Sequence, residues 1–188
     1  MAIKKPIDAR PLVSIVTPSY NSEKYIAETI ASVQQQTVTD WELLIVDDAS
    51  SDATVTKIKR LQAEDSRIKC FSLKENKGPA HARNLGIQKA RGKYLTFLDA
   101  DDLWFPEFLE RSSTEAKMHP FVFASYKRLD ENLEPYLSDF IVPEKVSYTD
   151  ILKSNSISCL TAFLDIEVLG KKYMPLIKKR QDMGLWLQ

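Results

Sequence analysis

Three short segments hold most of the side chains in this sequence that could do chemistry. They are Thr17-Pro18-Ser19-Tyr20-Asn21, Asp47-Asp48 and Asp99-Ala100-Asp101-Asp102. Each follows an apolar or β-branched run that reads as a buried strand. In an open parallel sheet, ligands bind beyond the carboxyl ends of the strands, where the loops diverge. Two acidic clusters and one aromatic–amide loop are therefore expected to converge on one edge. Like charges gathered in a cleft repel one another and favour a cation. Carboxylate oxygens suit Mg²⁺ or Mn²⁺ rather than zinc. Such ions are held by one or two carboxylates plus substrate phosphates, so a diphosphate is the expected companion. A single helix cap needs a single residue, which Asp52 can supply. Asp99, Asp101 and Asp102 together exceed that need.

The familiar metal-free phosphate cradles are missing. No Gly-x-Gly-x-x-Gly follows the first strand and no Gly-x-x-x-x-Gly-Lys-Ser/Thr occurs anywhere, so dehydrogenase and P-loop ATPase readings lose support. A dehalogenase-type phosphatase places its Asp-x-Asp after the first strand, and a receiver domain places its acidic pair there. Here the cluster follows the fourth strand.

The elements that must position these residues alternate regularly. Leu12–Thr17, Trp41–Val46, Ile68–Leu73 and Lys93–Leu98 read as strands. Between them lie a helix from a Ser22 cap to about Gln35, a helix over 53–65 with Ile58 inward, and a helix opened by Pro79 and closed by Gly92 at C′. Three successive strand–helix–strand units predict an α/β fold with a mostly parallel, doubly wound sheet and helices on both faces. Further on, a helix is expected from Pro106 to about Met118, then a strand over Phe121–Tyr126 and a turn at Asp130-Glu131-Asn132. Ser147–Asp150 forms a capping box, Ser156–Leu164 is strand-like, and Asp182–Gln188 reads as the start of a helix. The pattern stops inside that last helix, so the chain is expected to be incomplete at its C-terminal side.

Composition bounds the class. The chain has 188 residues with 44% hydrophobic and 28% charged, which suits one globular domain and excludes a disordered or fibrous chain. Lys+Arg and Asp+Glu are both 26, so no basic field covers the molecule and nucleic acid is not an expected partner. Cys70 and Cys159 stand far apart with no Cys-x-x-Cys pair, which reads as two buried free thiols in a reducing compartment. Met1–Pro6 leads into no apolar stretch of signal length, and no run reaches the roughly 18 residues of a membrane span. A cytoplasmic location is expected.

Val13–Asn21, Gln36-Thr37, Trp41–Asp52, Asn76-Lys77-Gly78-Pro79, Ala82–Gly86 and Leu98–Asp102, in this order and spacing, resemble the opening of the family 2 glycosyltransferases. The likeness covers about residues 12–105 and returns at Gln181-Asp182-Met183-Gly184-Leu185-Trp186, which is similar to the family's Glu-Asp-x-x-x-Trp element. Gln181 departs from that pattern. The resemblance implies one GT-A domain over 1–188, with a nucleotide-sugar half at about 12–105 and an acceptor half at about 106–188. It implies inverting transfer from a nucleotide donor, UDP-sugar favoured, to a hydroxyl of a glycan or lipid-linked acceptor in cell-envelope polysaccharide synthesis. It implies that Pro18, Tyr20 and Asn21 line the base and ribose pocket, with Tyr20 stacking on the base. Asp48 would accept from the base imide, with Asp47 beside it as support or a weaker contact. Asp99 and Ala100 would lie at the ribose, Asp101 would hold Mn²⁺ or Mg²⁺ on the diphosphate with Asp102 the alternative ligand, and Asp182 would be the general base. Arg83 would touch the donor phosphates or the acidic cluster.

Other readings stand beside these. His81 and His119 lack a partner at metal-ligand spacing and read as surface or packing residues. Trp41 and Trp104 read as packing residues. Lys171-Lys172 and Lys178-Lys179-Arg180 read as a solvated face, with attraction to an anionic lipid surface or a lipid-diphosphate acceptor as the minority view and peripheral membrane association its consequence. A nucleotide-sugar-binding chain that transfers nothing is the second functional hypothesis, and a metal-dependent nucleotide-sugar hydrolase the third.

Overall fold

The computed structural model describes residues 10–188. The segment Met1–Pro6, read above as lacking a signal-length apolar run, lies outside them. Strands β1 (Val13–Ser19), β2 (Trp41–Asp47), β3 (Ile68–Ser72) and β4 (Tyr94–Phe97) alternate with helices α1 (Ile26–Gln34), α2 (Thr54–Glu64) and α3 (Pro79–Lys89). Next come α4 (Phe108–Glu115), β5 (Phe121–Val122) and the hairpin of β6 (Tyr126–Leu129) and β7 (Pro135–Phe140). The chain continues through α5 (Tyr148–Lys153), a 3-10 turn (Cys159–Thr161), β8 (Phe163–Asp165), α6 (Ile166–Leu169) and α7 (Gln181–Trp186).

The main sheet runs β3-β2-β1-β4-β8-β5. β1 to β4 are parallel, while β8 lies antiparallel to both β4 and β5. β1 and β2 are buried along almost their whole length because helices cover both faces. Ile15, Ile30, Leu43 and Ile58 pack on one side, under α1 and α2. Val16, Leu44, Ile87 and Phe97 pack on the other, with α3 and α7. Trp41 and Trp104 are buried packing residues as expected, Trp41 under the Arg67 guanidinium and Trp104 stacked on Phe108.

Four expectations need correction. Ser22 does not cap α1 with its side chain: the helix begins at Ile26, and Ser22 accepts the Tyr25 and Ile26 amides through its carbonyl. Gly92 is not the C′ residue of α3, which ends at Lys89. It is needed because a Cβ there would stand 2.6 Å from the Ser14 amide nitrogen and 2.8 Å from the Tyr94 carbonyl oxygen. The run Ser156–Leu164 is a 3-10 turn followed by a three-residue strand. Phe121–Tyr126 divides between two sheets, with β6 pairing β7 away from the main sheet. Cys159 is buried and Cys70 half-buried, and both thiols are free.

Candidate active site

The carboxyl ends of β1, β2 and β4 open on one cleft of about 360 Å³, as the topology requires. Pro18, Tyr20 and Asn21 form one side of it, and Asp48, Gly78 and Pro79 another. Arg83, Asp99, Ala100 and Asp101 also line it. Tyr20 is 52% exposed, so its ring is available to a planar ligand.

The loops that carry these residues are tied together by side chains. Asn21, at φ 47, places its Oδ1 where the Ser51 amide donates to it at 2.9 Å, and its own amide donates to Ser50 Oγ at 2.9 Å. The Ser22 amide donates to Thr54 Oγ1, and the Glu23 amide to Asp52 Oδ2. Asp52 also accepts from the Thr54 amide at 3.0 Å, but it stands one residue before the N-cap, which is Ala53 and not the expected Asp52. The β1–α1 loop is thus stitched to the β2–α2 loop.

Asp47 and Asp48 point to different tasks. Asp47 is buried and accepts from the Ser50 amide and hydroxyl, shaping the turn in which Ala49 takes φ 64. It is absent from the cleft lining. Asp48 lines the cleft and accepts from the Lys77 amide at 2.8 Å and the Gly78 amide at 2.7 Å. Those bonds hold the β3–α3 loop, where Gly78 adopts φ 87 ahead of Pro79 at the start of α3. Lone pairs remain on both Asp48 oxygens for a ligand donor. Tyr25, Asn76, Gly78 and Ala82 also line the cleft and were not singled out by residue type. Asn76 and Gly78 fall in the Asn76–Pro79 motif and Ala82 in the Ala82–Gly86 motif, while Tyr25 falls in neither.

Arg83 is buried and donates from Nη2 to Asp99 Oδ1 at 2.5 Å. Its Nε is buried without a partner among the described residues, while the residue as a whole lines the cleft. Gly86, one turn along α3, lets the helix sit close on β1, since a Cβ there would meet the Val16 side chain at 2.3 Å. That close approach brings Arg83 to the strand ends.

The acidic cluster carries more negative charge than its surroundings balance. Asp99 is engaged by Arg83, Asp101 is exposed at the cleft and Asp102 is half-buried beside them. Burial, then the charges of Asp99 and Asp101, push the Asp102 carboxyl up to about 7, against the opposing pull of Arg83. Among the described residues no three His, Cys, Asp or Glu side chains form a ready-made metal cage. The donor set fits an ion that takes one or two carboxylates and completes its shell with phosphates and water. It does not fit one that needs a closed protein site.

A second cavity, of about 330 Å³, adjoins the first. Pro79, Arg83 and Asp99 line both, and Asp182 opens on the second. Asn155 donates from Nδ2 to Asp182 Oδ2 at 2.7 Å, a contact no sequence pattern signalled. Asp182 lies in the first turn of α7, whose Leu185 and Trp186 are buried in the core beside Phe97. His81 instead places Nδ1 2.9 Å from the Lys77 carbonyl oxygen, and His119 is exposed.

A family model described as glycosyl transferase family 2 matches residues 14–160. The Bacillus subtilis glycosyltransferase TuaG, named for teichuronic acid biosynthesis, is 42% identical over 182 residues, covering 95% of this chain and 71% of that one. Escherichia coli WfgD, a UDP-Glc:alpha-D-GlcNAc-diphosphoundecaprenol beta-1,3-glucosyltransferase, is 39% identical, covering 94% of this chain and 68% of its own length. Among solved structures, S. aureus TarS 1–349 superposes with a TM-score of 0.74 at 25% identity, covering 91% of this chain, and has also been solved with UDP. This chain spans about half of that one, 52%. The parallel sheet with its antiparallel β8 is accordingly a GT-A fold, and the chain belongs to glycosyl transferase family 2.

Proposed function

We propose that the chain catalyses inverting transfer of a sugar from a UDP-sugar to a hydroxyl of a glycan or lipid-linked acceptor in cell-envelope glycan synthesis. The observation that carries this reading is the pair of adjoining cavities with a common wall of Pro79, Arg83 and Asp99. One opens on Tyr20 and Asp101, the other on Asp182. A single displacement needs one carboxylate region for the departing diphosphate and a separate one for the attacking hydroxyl. UDP is favoured because TarS has been solved with it and WfgD is named for a UDP-sugar. Residues 12–105 are the nucleotide half and 106–188 the acceptor half in this reading.

Tyr20 stacks on the base while Pro18 and Asn21 shape the pocket around it. Asp48 accepts from the base imide with lone pairs left over from the Lys77 and Gly78 amides. Asp99, steadied by Arg83, faces the ribose, close to Ala100. Arg83, on the wall common to both cavities, brings its positive charge to the donor phosphates or the acidic cluster. Asp101, with Asp102, would hold Mg²⁺ or Mn²⁺, which when bound neutralises charge growing on the leaving diphosphate. Asp182 takes the proton of the acceptor hydroxyl during attack on C1 from the face opposite the diphosphate. Asn155 fixes one carboxylate oxygen, leaving the other for the proton. Inversion at C1 follows, with no covalent glycosyl intermediate.

The test is UDP release from UDP-glucose, measured with and without a sugar acceptor carried on a short alkyl diphosphate. Transfer predicts acceptor-dependent release and a β-linked product from the α-linked donor. Asp182→Asn should lower that rate by about 10²–10⁴-fold while leaving UDP affinity unchanged. Equal release without acceptor would establish a hydrolase instead.

A further inference from the structure

Lys178, Lys179 and Arg180 line the second cavity beside Asp182. All three are exposed, and among the described residues none of them makes an ion pair. The negative groups on that cavity are Asp182 and Asp99, and Asp99 already has Arg83. Three cations therefore face one free carboxylate. An ordinary solvated face would mix its signs, whereas this one concentrates positive charge where the acceptor must sit.

The segment is also held in place on both sides. Asn84 on α3 clamps Met174, donating from Nδ2 to its carbonyl at 2.9 Å and accepting its amide at 2.8 Å. Gln181 donates from Nε2 to the Ile177 carbonyl at 2.7 Å, closing the loop across the three cations. Pro175 packs on Gly184 of α7, where a Cβ would come within 2.4 Å of its ring. A cluster anchored at both ends and aimed along one cavity is suited to an anion of fixed position.

We propose that Lys178, Lys179 and Arg180 form a phosphate subsite on the acceptor side. They hold the diphosphate of a sugar-diphosphate acceptor while a hydroxyl of that sugar meets Asp182. Resting on the transferase reading, this names its acceptor class. One hexose ring separates an anomeric phosphate from the ring hydroxyls, so both ends of such an acceptor fit within one cavity. The Tyr20 cleft remains free for the donor nucleotide, and the shared Arg83–Asp99 wall separates the two diphosphates.

The test is a titration of decyl diphosphate, inorganic pyrophosphate and neutral decyl glucoside into the chain saturated with UDP and Mn²⁺. It is repeated on the triple variant Lys178→Gln, Lys179→Gln, Arg180→Gln and on the charge-keeping variant Lys178→Arg, Lys179→Arg. Decyl diphosphate should bind, and the triple variant should weaken it at least tenfold with UDP affinity held within twofold, while the charge-keeping variant restores it. Binding by decyl diphosphate well above pyrophosphate assigns the subsite to a lipid-linked acceptor, and equal binding assigns it to free phosphates. Unchanged decyl diphosphate binding in a folded triple variant overturns the subsite. So does an equal loss of UDP affinity, which would give the cations to the donor. If the wild-type chain fails to bind UDP, the donor reading falls. The decyl diphosphate arm run without nucleotide then still decides the subsite.

Discussion

Asp48→Asn isolates a residue placed both to shape the cleft and to touch the nucleotide. The carboxylate accepts from the Lys77 and Gly78 amides at 2.8 and 2.7 Å. The amide side chain keeps one acceptor oxygen and turns an NH₂ toward the second backbone N–H, so one bond is lost and a donor faces a donor. A hydrogen bond to a charged group is worth about 1.5–3 kcal/mol. Lys77 is exposed and Gly78 half-buried, so water recovers part of this and leaves about 1–2 kcal/mol. That corresponds to about 5–30-fold in the ratio of ordered to open β3–α3 loop. Asn also takes away an acceptor offered to the base imide, so UDP affinity, read by calorimetry, should fall about tenfold or more. Hydrogen exchange at the Lys77 and Gly78 amides should accelerate by about the same factor, with the thermal midpoint lowered only a few degrees. Unchanged exchange at both amides would refute the bonding. Accelerated exchange with unaltered UDP affinity would refute the link between this loop and the nucleotide.

Other substitutions and conditions reach different parts of the account. Gly92→Ala places a methyl 2.6 Å from the Ser14 backbone nitrogen, where nothing can swing aside. It should cost about 2–3 kcal/mol in urea unfolding. Arg67 beside Asp65 lowers that carboxyl to about 2 from its ordinary 3.8 despite partial burial. A depressed carboxylate contributes its stability above the unfolded pKa and loses it as pH falls through the folded one. About 1–2 kcal/mol, after solvent screening of the partly exposed pair, should thus vanish between about pH 4 and 2, and Asp65→Asn should flatten that part of the stability profile.

Legibility followed burial. β1 to β4 and the three helices between them stood in the sequence to within a few residues, because strands covered on both faces are written as unbroken apolar runs. The three loop segments at their ends follow from the same topology, and so did the convergence of Tyr20, Asp48, Asp99 and Asp101 on one cleft. What was hidden depends on long-range partners. α1 is delayed to Ile26, and the loop before it is held by long-range bonds, the Asn21, Ser22 and Glu23 amides donating to Ser50, Thr54 and Asp52 about thirty residues on. Gly92 looked like a helix terminator, yet its constraint comes from β1. The reversal of β8 was unreadable because an apolar run carries no strand direction. The β6–β7 hairpin is mostly exposed, so its pattern has no buried face to announce it. Asn155 has no motif of its own, since its significance comes only from meeting Asp182.

The central claim is a donor cleft that takes a uridine diphosphate through Tyr20 and Asp48 and a divalent cation through the Asp101 cluster. Calorimetric titration of UDP and GDP, each with and without Mn²⁺, into the wild-type chain and Asp101→Ala tests it most directly. The expected result is micromolar UDP binding that needs Mn²⁺, markedly weaker GDP binding, and loss of the metal dependence in Asp101→Ala. UDP binding of equal strength with and without Mn²⁺ in the wild-type chain, or no preference for UDP over GDP, would contradict it.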